Sequence, residues 1–329
     1  MRALMEVENM AKKILLMMVA LVLAGGLCTT AYGWNTFGHM AVAYAAYQKL
    51  TPQAKTRVKD LLKLNPKYNE WESWVPANAP QADKDMMVFM LAAQWADEIK
   101  GDNQYSDDGT NHGNTPDGAP SSQNTGYTDL LRHKYFHFVD KPFTNDGSAL
   151  PAIPTPNAQE RIALFRGVLA STSDDHLKSY DLTWLLHLVG DVHQPLHCAT
   201  RVSSTDPGGD NGGNNVKLNC TGCAKELHAF WDNLLGKRAT AQAAIKPAIK
   251  AAKKLPTADA TLAAKSDEKD WIAESFQAAQ QTVYQPPVAA GDGPFVLTGA
   301  YKSAAKTLAK QRIALAGARL ANLINDELK

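Results

Sequence analysis

The stretch HLVGDVHQPLH, residues 187–197, sets histidine and aspartate side chains into an otherwise apolar segment. His187 and Asp191 are four residues apart, so both project from one face if the segment is helical. Pro195 then ends the helix, and His197 can turn back from its end. A fold of this chain therefore has to accommodate several polar side chains at the end of a largely apolar helix.

A second segment, HAFWD, repeats the four-residue step with His228 and Asp232. Three further candidates lie upstream: His39, Asp97 in QWADEI and His137 in YFHFVD. Histidine and carboxylate are the ligands of zinc and similar ions, and pairs four residues apart preorganise two ligands. A single residue of this kind is more often a hydrogen-bonded core residue, but the whole set favours a multinuclear metal site.

Most of the chain has the periodicity of amphipathic or buried helices. In TPQAKTRVKDLLKL, Thr51 is the predicted N-cap and Pro52 occupies the first helical position. Apolar residues recur at three- and four-residue spacings in four longer segments. These segments are NAQERIALFRGVLAS, DLTWLLHLVGDV, DEKDWIAESFQAAQQTVY and SAAKTLAKQRIALAGARLANLINDEL.

Irregular segments rich in Gly, Asn, Asp, Ser and Pro interrupt the helices, at roughly 101–126, 141–157 and 199–219. They mark no domain boundary, and segments of this length inside a domain tend to carry function. The loop GGDNGGN, residues 208–214, lacks the strand and the Lys-Ser/Thr end of a phosphate loop. We therefore predict an all-α fold, a single mainly helical domain with long irregular loops.

The start of the chain has the features of a secretory signal. Lys12 and Lys13 precede the apolar run ILLMMVALVLAGGL, and a small-residue cleavage pattern ends at Gly33. A membrane anchor is the alternative, but the run is short for a bilayer span. The predicted division is a removed signal peptide, 1–33, and one domain, 34–329, that is secreted or periplasmic without stable membrane association.

Cleavage after Gly33 would give Trp34 a free α-amine. Such an amine has a pKa near 8, so it can lose its proton to a metal at neutral pH. The amine and the carbonyl of one residue close a five-membered chelate ring, and His39 lies about one helical turn further along. The closeness of this histidine to the cleavage point is explained if both bind the same ion.

Charge and cysteine content narrow the function further. The formal net charge is only +1, which lacks the strongly basic balance of most nucleic-acid binders. A phosphate site would then need local positive charge, such as metal ions. The predicted domain keeps Cys198, Cys220 and Cys223, which allows one disulfide of undetermined pairing and one remaining thiol.

Taken together, these motifs resemble the zinc-dependent single-strand-specific nucleases, also called type I nucleases or 3′-nucleotidases, whose superfamily includes zinc phospholipase C. The resemblance runs along the predicted domain through WNTFGH, WADEI, HFVD, GDVHQPLH, GGDNGGN, LHAFWDN, WIAES and LAGARLANLIN. It implies a phospholipase C/nuclease-like helical fold whose loops surround a trinuclear zinc cleft. The implied protein is a monomer.

The resemblance also implies three zinc ions and assigns their ligands. His193 has no ligand role in the family and is expected nearby or in the helix cap. The first zinc would be held by Asp97, His137, His187 and Asp191, the second by His197, His228 and Asp232, and the third by the Trp34 amine and carbonyl, His39 and a bridging Asp191.

Further roles follow from the same matching. Asp191 is expected to be catalytic as the bridging ligand, Lys100 to stabilise the charged phosphoryl group and Asn233 to contact phosphate. Phe138 and Asp140 match a base pocket in which a ring stacks on the base and a carboxylate meets its edge. For Phe138, simple core packing is an equally good reading.

The leading hypothesis is a secreted zinc-dependent endonuclease and 3′-nucleotidase. Its substrates would be single-stranded DNA, RNA and 3′-nucleotides, because a stacked base must be unpaired. The alternatives are a zinc-dependent phospholipase C of the same superfamily and a non-catalytic zinc-binding secreted protein.

Overall fold

Helices form most of the backbone in the computed structural model, which describes residues 34–109, 126–237, 239–289 and 291–329. The twelve α-helices of these ranges are numbered α1 to α12 in chain order. They are Thr36–Tyr47, Pro52–Leu62, Tyr68–Trp74, Gln81–Ala92, Trp95–Glu98, Ala158–Ala170, Asp175–Asp191, Leu227–Asp232, Ala241–Ala252, Ala260–Ala263, Glu268–Ala278 and Gly299–Glu327.

The predicted start of α2 is confirmed by its cap. The hydroxyl of Thr51 accepts a hydrogen bond from the backbone N–H of Ala54 at 3.1 Å, and Pro52 is the first residue of α2. Asn157 and Glu160 form a capping box at the start of α6. Local side-chain chemistry therefore fixes where these helices begin.

Helix α7 is the centre of the fold. Every residue from Ser179 to Asp191 is buried, and the helix packs against α1, α2, α5, α6 and α12. A helix surrounded on all sides has little amphipathic character, because no face is left for water. The polar side chains at its C-terminal end are consequently removed from solvent.

Two short strands lie in segments predicted to be irregular. Pro142–Thr144 pairs in parallel with Thr200–Val202, and Phe143 is opposite Arg201 in the register. Strands of three residues are too short to show an alternating pattern in the sequence. The predicted all-α class is confirmed, since helices dominate the part of the chain that the structure describes.

The apolar core consists of two clusters that meet near the end of α7. The larger cluster includes Trp95 and Val189, and the smaller one includes Leu196, Leu227 and Trp231. The histidines that follow Leu196 and Leu227 in the chain are therefore anchored in the smaller cluster, whereas those on α7 are anchored in the larger one. Leu234 packs against both clusters, so the histidines anchored in one cluster lie near those anchored in the other.

The three cysteines of the predicted domain form the expected single disulfide and leave one thiol. Cys220 and Cys223 form a disulfide, and Cys198 is free and buried. One bridge with one remaining thiol is thus confirmed, and the bridge closes the CTGC turn.

The predicted signal peptide, 1–33, lies outside the described residues. All described residues belong to one compact unit. Within them, no helix has the length and apolar character needed to cross a membrane.

Candidate metal centre

The structure brings eight buried histidine and aspartate side chains into three adjoining groups. Within each group the potential ligand atoms all lie within 4.8 Å of one another. The first two groups share His187, and the members of each group come from more than one element of the chain. They are His39, His187 and Asp191; Asp97, His137 and His187; and His197, His228 and Asp232.

The pair on α7 has the geometry that its spacing predicts. His187 Nε2 lies 3.2 Å from Asp191 Oδ2, one helical turn further along. On the other side of the ring, Nδ1 donates a hydrogen bond to the backbone carbonyl of Ala93 at 2.8 Å. That bond places the proton on Nδ1 and leaves the Nε2 lone pair facing the group, as in metal-binding histidines.

Asp97 and His137 complete the first side of the centre. Asp97 lies in the short helix α5, and Asp97 Oδ1 is 3.5 Å from His187 Nε2. His137 ends the 3₁₀ turn Lys134–His137, and its Nδ1 lies 2.9 Å from Asp191 Oδ2. The four side chains that the family resemblance assigns to one ion therefore lie close together.

His39 joins the centre through a close approach of α1 and α7. Its Nε2 lies 3.3 Å from Asp191 Oδ1, and its ring stacks on His187 with centroids 3.7 Å apart. A Cβ atom at Gly190 would lie only 2.8 Å from His39 Nδ1. Glycine at position 190 is what lets the two helices bring His39 to Asp191, whose two oxygens face different histidines.

The third group is held by backbone carbonyls. His197 Nδ1 donates to the carbonyl of His137 and His228 Nδ1 donates to that of Gly212, each at 2.7 Å. The two Nε2 atoms consequently face each other at 3.2 Å, and Asp232 Oδ2 lies 3.7 Å from His228 Nε2. The second four-residue pair is thus also confirmed as a pair on one helix face.

Two further residues support this group. The side chain of Gln194 donates to Asp232 Oδ1 at 2.9 Å and so orients the carboxylate. Gly212 has a positive φ of 58°, and a Cβ there would lie 2.6 Å from the carbonyl oxygen of Leu196. The loop 208–214 thus packs against the third group, and Gly212 allows the close approach.

The donor set fits zinc. Two nitrogens bound to one tetrahedral zinc at about 2.0–2.1 Å would be separated by roughly 3.3–3.4 Å, close to the 3.2 Å between His197 and His228. Both ring nitrogens of His39, Nε2 of His187 and Oδ1 of Asp191 are buried without a hydrogen-bond partner. Buried polar atoms rarely lack a hydrogen-bond partner, and a bound cation would give these atoms a partner.

The electrostatic environment points to a cation as well. Burial lowers the pKa of His39 to about 4 and that of His137 to about 3, so both imidazoles are neutral and keep a lone pair at pH 7. Burial also raises the pKa of Asp232 well above its usual range. A buried carboxylate of this kind becomes stable in its charged form when a cation lies beside it.

A cavity of about 520 Å³ opens beside two of the three groups. Asp97 and Asp232 line it, together with Asn233, Asn35 and Gln94. The cleft is therefore large enough to bring a small polar ligand against residues of two different groups.

Comparison with known proteins identifies this arrangement. Residues 34–329 match the family described as S1/P1 Nuclease. The chain belongs to the S1/P1 nuclease family. The motifs that suggested this resemblance are distributed along the same range.

Individual relatives are distant. Nuclease S1 of Aspergillus oryzae (strain ATCC 42149 / RIB 40) is 24% identical over 218 residues, which cover 65% of this chain and 58% of that protein. Endonuclease 2 of Arabidopsis thaliana is 25% identical over 306 residues, covering 89% and 90%. Nuclease PA3 of Penicillium sp is 24% identical over 311 residues, covering 89% and 97%.

Lys100 and Asn233, which the family resemblance matches to phosphate contacts, both lie beside the candidate metal centre. The buried ammonium of Lys100 is 2.8 Å from Asp97 Oδ1. Burial alone would raise the pKa of Asp97, but Lys100 and the neighbouring histidines hold it below its usual range. Asn233 lines the cavity and accepts a hydrogen bond from the side chain of Asn35 at 2.7 Å.

The two residues matched to a base pocket lie outside the lining of the cavity. Phe138 is buried and Asp140 is half-buried, and neither lines the 520 Å³ cavity. Burial and the Asp210 carboxylate raise the pKa of Asp140 to about 7. Their assignment to base binding therefore remains a prediction.

Trp34 is fully buried at the start of the family match. A Cβ at Gly38 would lie 2.6 Å from Trp34 Cβ, so the indole side chain depends on this glycine for its place. The next residue, Asn35, donates its backbone N–H to the carbonyl of Asp232 at 3.4 Å. The start of the domain thus runs alongside the third group.

Gln94 lines the cavity but was not predicted from the sequence as a site residue. It is buried, it lines the cavity, and its Nε2 has no hydrogen-bond partner in the described structure. The available signal was its position three residues before Asp97 in QWADEI. A glutamine in a mainly helical segment is too common to single out without the three-dimensional contacts.

Proposed function

We propose that this protein is a zinc-dependent nuclease that hydrolyses phosphodiester bonds of single-stranded DNA and RNA, and also removes 3′-phosphates from nucleotides. The observation that carries the proposal is the convergence of three buried histidine–aspartate groups, two of them beside one cavity, in a member of the S1/P1 nuclease family. Names of relatives such as Nuclease S1 and Endonuclease 2 support the reaction class.

Three zinc ions are proposed, and their side-chain ligands all come from the three groups, with Asp191 shared by two of the ions. The Trp34 amine and carbonyl complete the third set. The first set is Asp97, His137, His187 and Asp191; the second is His197, His228 and Asp232; and the third is His39, Trp34 and the shared Asp191.

When bound, the ions would supply the Lewis acidity and the activated water that phosphate hydrolysis needs. The residues of the chain do the positioning. Asp191 offers its two oxygens to different histidines. Lys100, beside Asp97, adds a buried positive charge that would stabilise the phosphoryl group of the substrate. Asn233 and Gln94 present amide groups at the cavity wall, which suits hydrogen bonds to phosphate oxygens.

Selectivity for unpaired strands would come from base recognition. Phe138 would stack on a base and Asp140 would accept from its edge, an arrangement that a paired base cannot enter.

Secretion after removal of 1–33 is part of the proposal. Its support is the signal-like sequence and the start of the family match at residue 34. The free amine that this removal creates at Trp34 is the reason that processing would matter for activity as well as for location.

The test uses zinc-loaded protein that begins at Trp34. It is incubated in parallel with single-stranded DNA, a 3′-nucleotide and phosphatidylcholine. We expect hydrolysis of the first two, loss of activity in Asp191→Asn, and full activity in Asp175→Asn, which changes an aspartate at the other end of α7. Hydrolysis of phosphatidylcholine alone would instead favour a phospholipase C, and zinc binding without hydrolysis of any substrate would favour a non-catalytic protein.

A further inference from the structure

Positive charge is concentrated in two parts of an otherwise balanced chain. Between Asp232 and Asp259 the sequence has six lysine or arginine residues and no acidic one. Between Asp292 and Asp326 it has five and again no acidic one. The net charge of the whole chain is +1, so these segments form local basic regions rather than reflecting the overall composition.

The fold places both segments on the same supporting helix. Helix α9 comes from the first segment and helix α12 from the second, and both pack against α1. A groove of about 390 Å³ lies there, with two lysines from each segment along it. These four lysines, which we call the lysine groove, are Lys250, Lys254, Lys306 and Lys310.

The groove has an apolar floor and no acidic residue in its lining. Its apolar part includes Phe37, Leu235 and Leu255, all half-buried. Three of the four lysines are exposed and Lys310 is half-buried. No ion pair formed among the described residues includes any of the four, in contrast to surface lysines such as Lys217, which pairs with Glu226.

This arrangement concentrates like charges. Lys306 and Lys310 are four residues apart on α12, a spacing at which equal charges on a helix repel. Lys250 is in the last turn of α9, and Lys254 follows in the turn after this helix. An anion that spans the groove would relieve that repulsion from both sides. The charge pattern is therefore complementary to a ligand carrying several negative charges.

The lysine groove lies next to the catalytic cavity. Thr36 and Asn233 line the cavity, whereas Phe37 and Leu235, one and two residues further along the chain, line the groove. The two clefts consequently share the wall formed by the start of α1 and the segment after α8. A polymer whose reacting phosphate is in the cavity can extend over this wall.

We propose that the lysine groove binds the phosphate backbone of a single-stranded nucleic acid beyond the phosphate that is cut. The lysines would contact successive phosphates, and the apolar floor would accept sugar or base faces. This inference rests on the proposed nuclease function and adds to it a second contact region. It predicts that long substrates bind more tightly than dinucleotides for a reason separate from the metal centre.

The test compares two quadruple variants of the protein that begins at Trp34. The groove variant changes all four lysines of the groove to glutamine. The control variant makes the same change at four lysines that do not line it: Lys49, Lys63, Lys84 and Lys269.

Binding is measured by fluorescence anisotropy with a labelled phosphorothioate oligonucleotide of about 20 residues, whose integrity is checked by electrophoresis. We expect the groove variant to bind at least about fivefold more weakly. Its salt dependence should be shallower by about 0.7 for each phosphate that the lysines no longer neutralise. The control variant should match the parent protein, and zinc content should be equal in all three.

Kinetics separate the groove from the cavity. In the groove variant, KM for a long single strand should rise while kcat/KM for a dinucleotide stays unchanged. Equal binding and equal salt dependence in the groove and control variants would overturn the proposal, as would an equal loss on the dinucleotide. Absence of hydrolysis of both the long strand and the dinucleotide by the parent protein would instead refute the nuclease function, and the anisotropy comparison would still decide whether the groove binds the strand.

Discussion

The guanidinium of Arg319 donates a hydrogen bond to Nε2 of His193 at 2.9 Å, joining residues 126 positions apart. His193 Nδ1 in turn donates to the carbonyl of Val189 at 2.7 Å, so the imidazole is neutral and ties the end of α7 to α12. Glu274 holds Arg319 from the other side with oxygens at 2.8 and 2.9 Å. The turn between the candidate ligands Asp191 and His197 is therefore fixed by a buried polar network.

This network leads to the first prediction. Arg319→Lys keeps the charge but loses the planar fork that contacts Glu274 and His193 together. We expect the fold to persist and zinc affinity to fall by about 10-fold, the low end of the effect of losing a residue that supports metal ligands, because Arg319 acts through His193 and contacts no candidate ligand itself. Zinc retention is measured against a chelator series. The control is Arg166→Lys at a partly exposed ion pair with Glu327; equal retention in both variants would show that the network has no positioning role.

The second prediction concerns Gly190. In Gly190→Ala the new Cβ would lie 2.8 Å from His39 Nδ1, and overpacking of this kind costs about 1–3 kcal/mol. We expect a lower free energy of unfolding and the loss of the zinc ion proposed to bind His39. Gly167→Ala in α6 is the matched control, because nothing lies within 4 Å of its new Cβ. If the Gly190 variant keeps its full zinc content, the close approach of α1 and α7 is not what positions His39.

The third prediction is a pH dependence of stability outside the metal centre. His133 is buried between Asp129, 2.8 Å from Nε2, and Asp108, 2.6 Å from Nδ1. Burial by itself would lower the pKa of His133, but the two carboxylates raise it above 6.5. A raised pKa means that the stabilisation is complete below pH 6.5 and is lost as the pH rises through the folded-state value.

The measurement is the free energy of unfolding of the parent protein and His133→Gln across pH 6 to 9. Removing the central cation should cost about 3–5 kcal/mol at the acid end, and the difference should shrink towards the alkaline end. His176→Gln at an exposed position is the control. A difference that stays constant over the whole range would mean that His133 is not charged in the folded protein.

Gln94 supplies the fourth prediction. Its amide lines the cavity without a partner, so Gln94→Met should remove a donor to the substrate while preserving size and burial. A hydrogen bond to a charged group contributes about 1.5–3 kcal/mol, so kcat/KM should fall about 10–100-fold. Zinc content should not change. Gln104→Met at an exposed site is the control, and unchanged kinetics in the Gln94 variant would remove it from the substrate site.

The sequence predicted the parts of the site that depend on local geometry. A step of four residues on a helix places His187 beside Asp191 and His228 beside Asp232 whatever the rest of the chain does. Helix caps such as Thr51 were predictable for the same reason, because the donor and the acceptor are three residues apart. The ligand grouping across distant elements came from the family resemblance.

Features that depend on the packing of distant segments were not predicted. The contact between Gly190 and His39 exists only because α1 crosses α7, and neither residue signals it alone. The bond from Arg319 to His193 depends on α12 lying beside the end of α7. Short strands such as Pro142–Thr144 form because a partner is available, rather than because of their own pattern.

The last prediction concerns the start of the domain. Trp34 is buried against Gly38, and Asn35 is tied to Asp232 through its backbone and to Asn233 through its side chain. These contacts hold the first residues of the domain in place beside the candidate metal centre. If Trp34 is the first residue of the processed protein, its amine is fixed there as well.

An extra glycine placed before Trp34 tests whether that amine is a ligand. The glycine turns the amine into an amide, whose lone pair is delocalised into the carbonyl and does not bind zinc at neutral pH. We expect the extended protein to lose or loosen one of three zinc ions and keep the other two, whose proposed ligands are all side chains. Phosphodiesterase turnover should fall far more than the free energy of unfolding, because that ion would stabilise charge in the transition state. Zinc content and turnover are compared with protein that begins at Trp34. Equal zinc and equal turnover would exclude the amine as a ligand and leave His39 with side-chain partners alone.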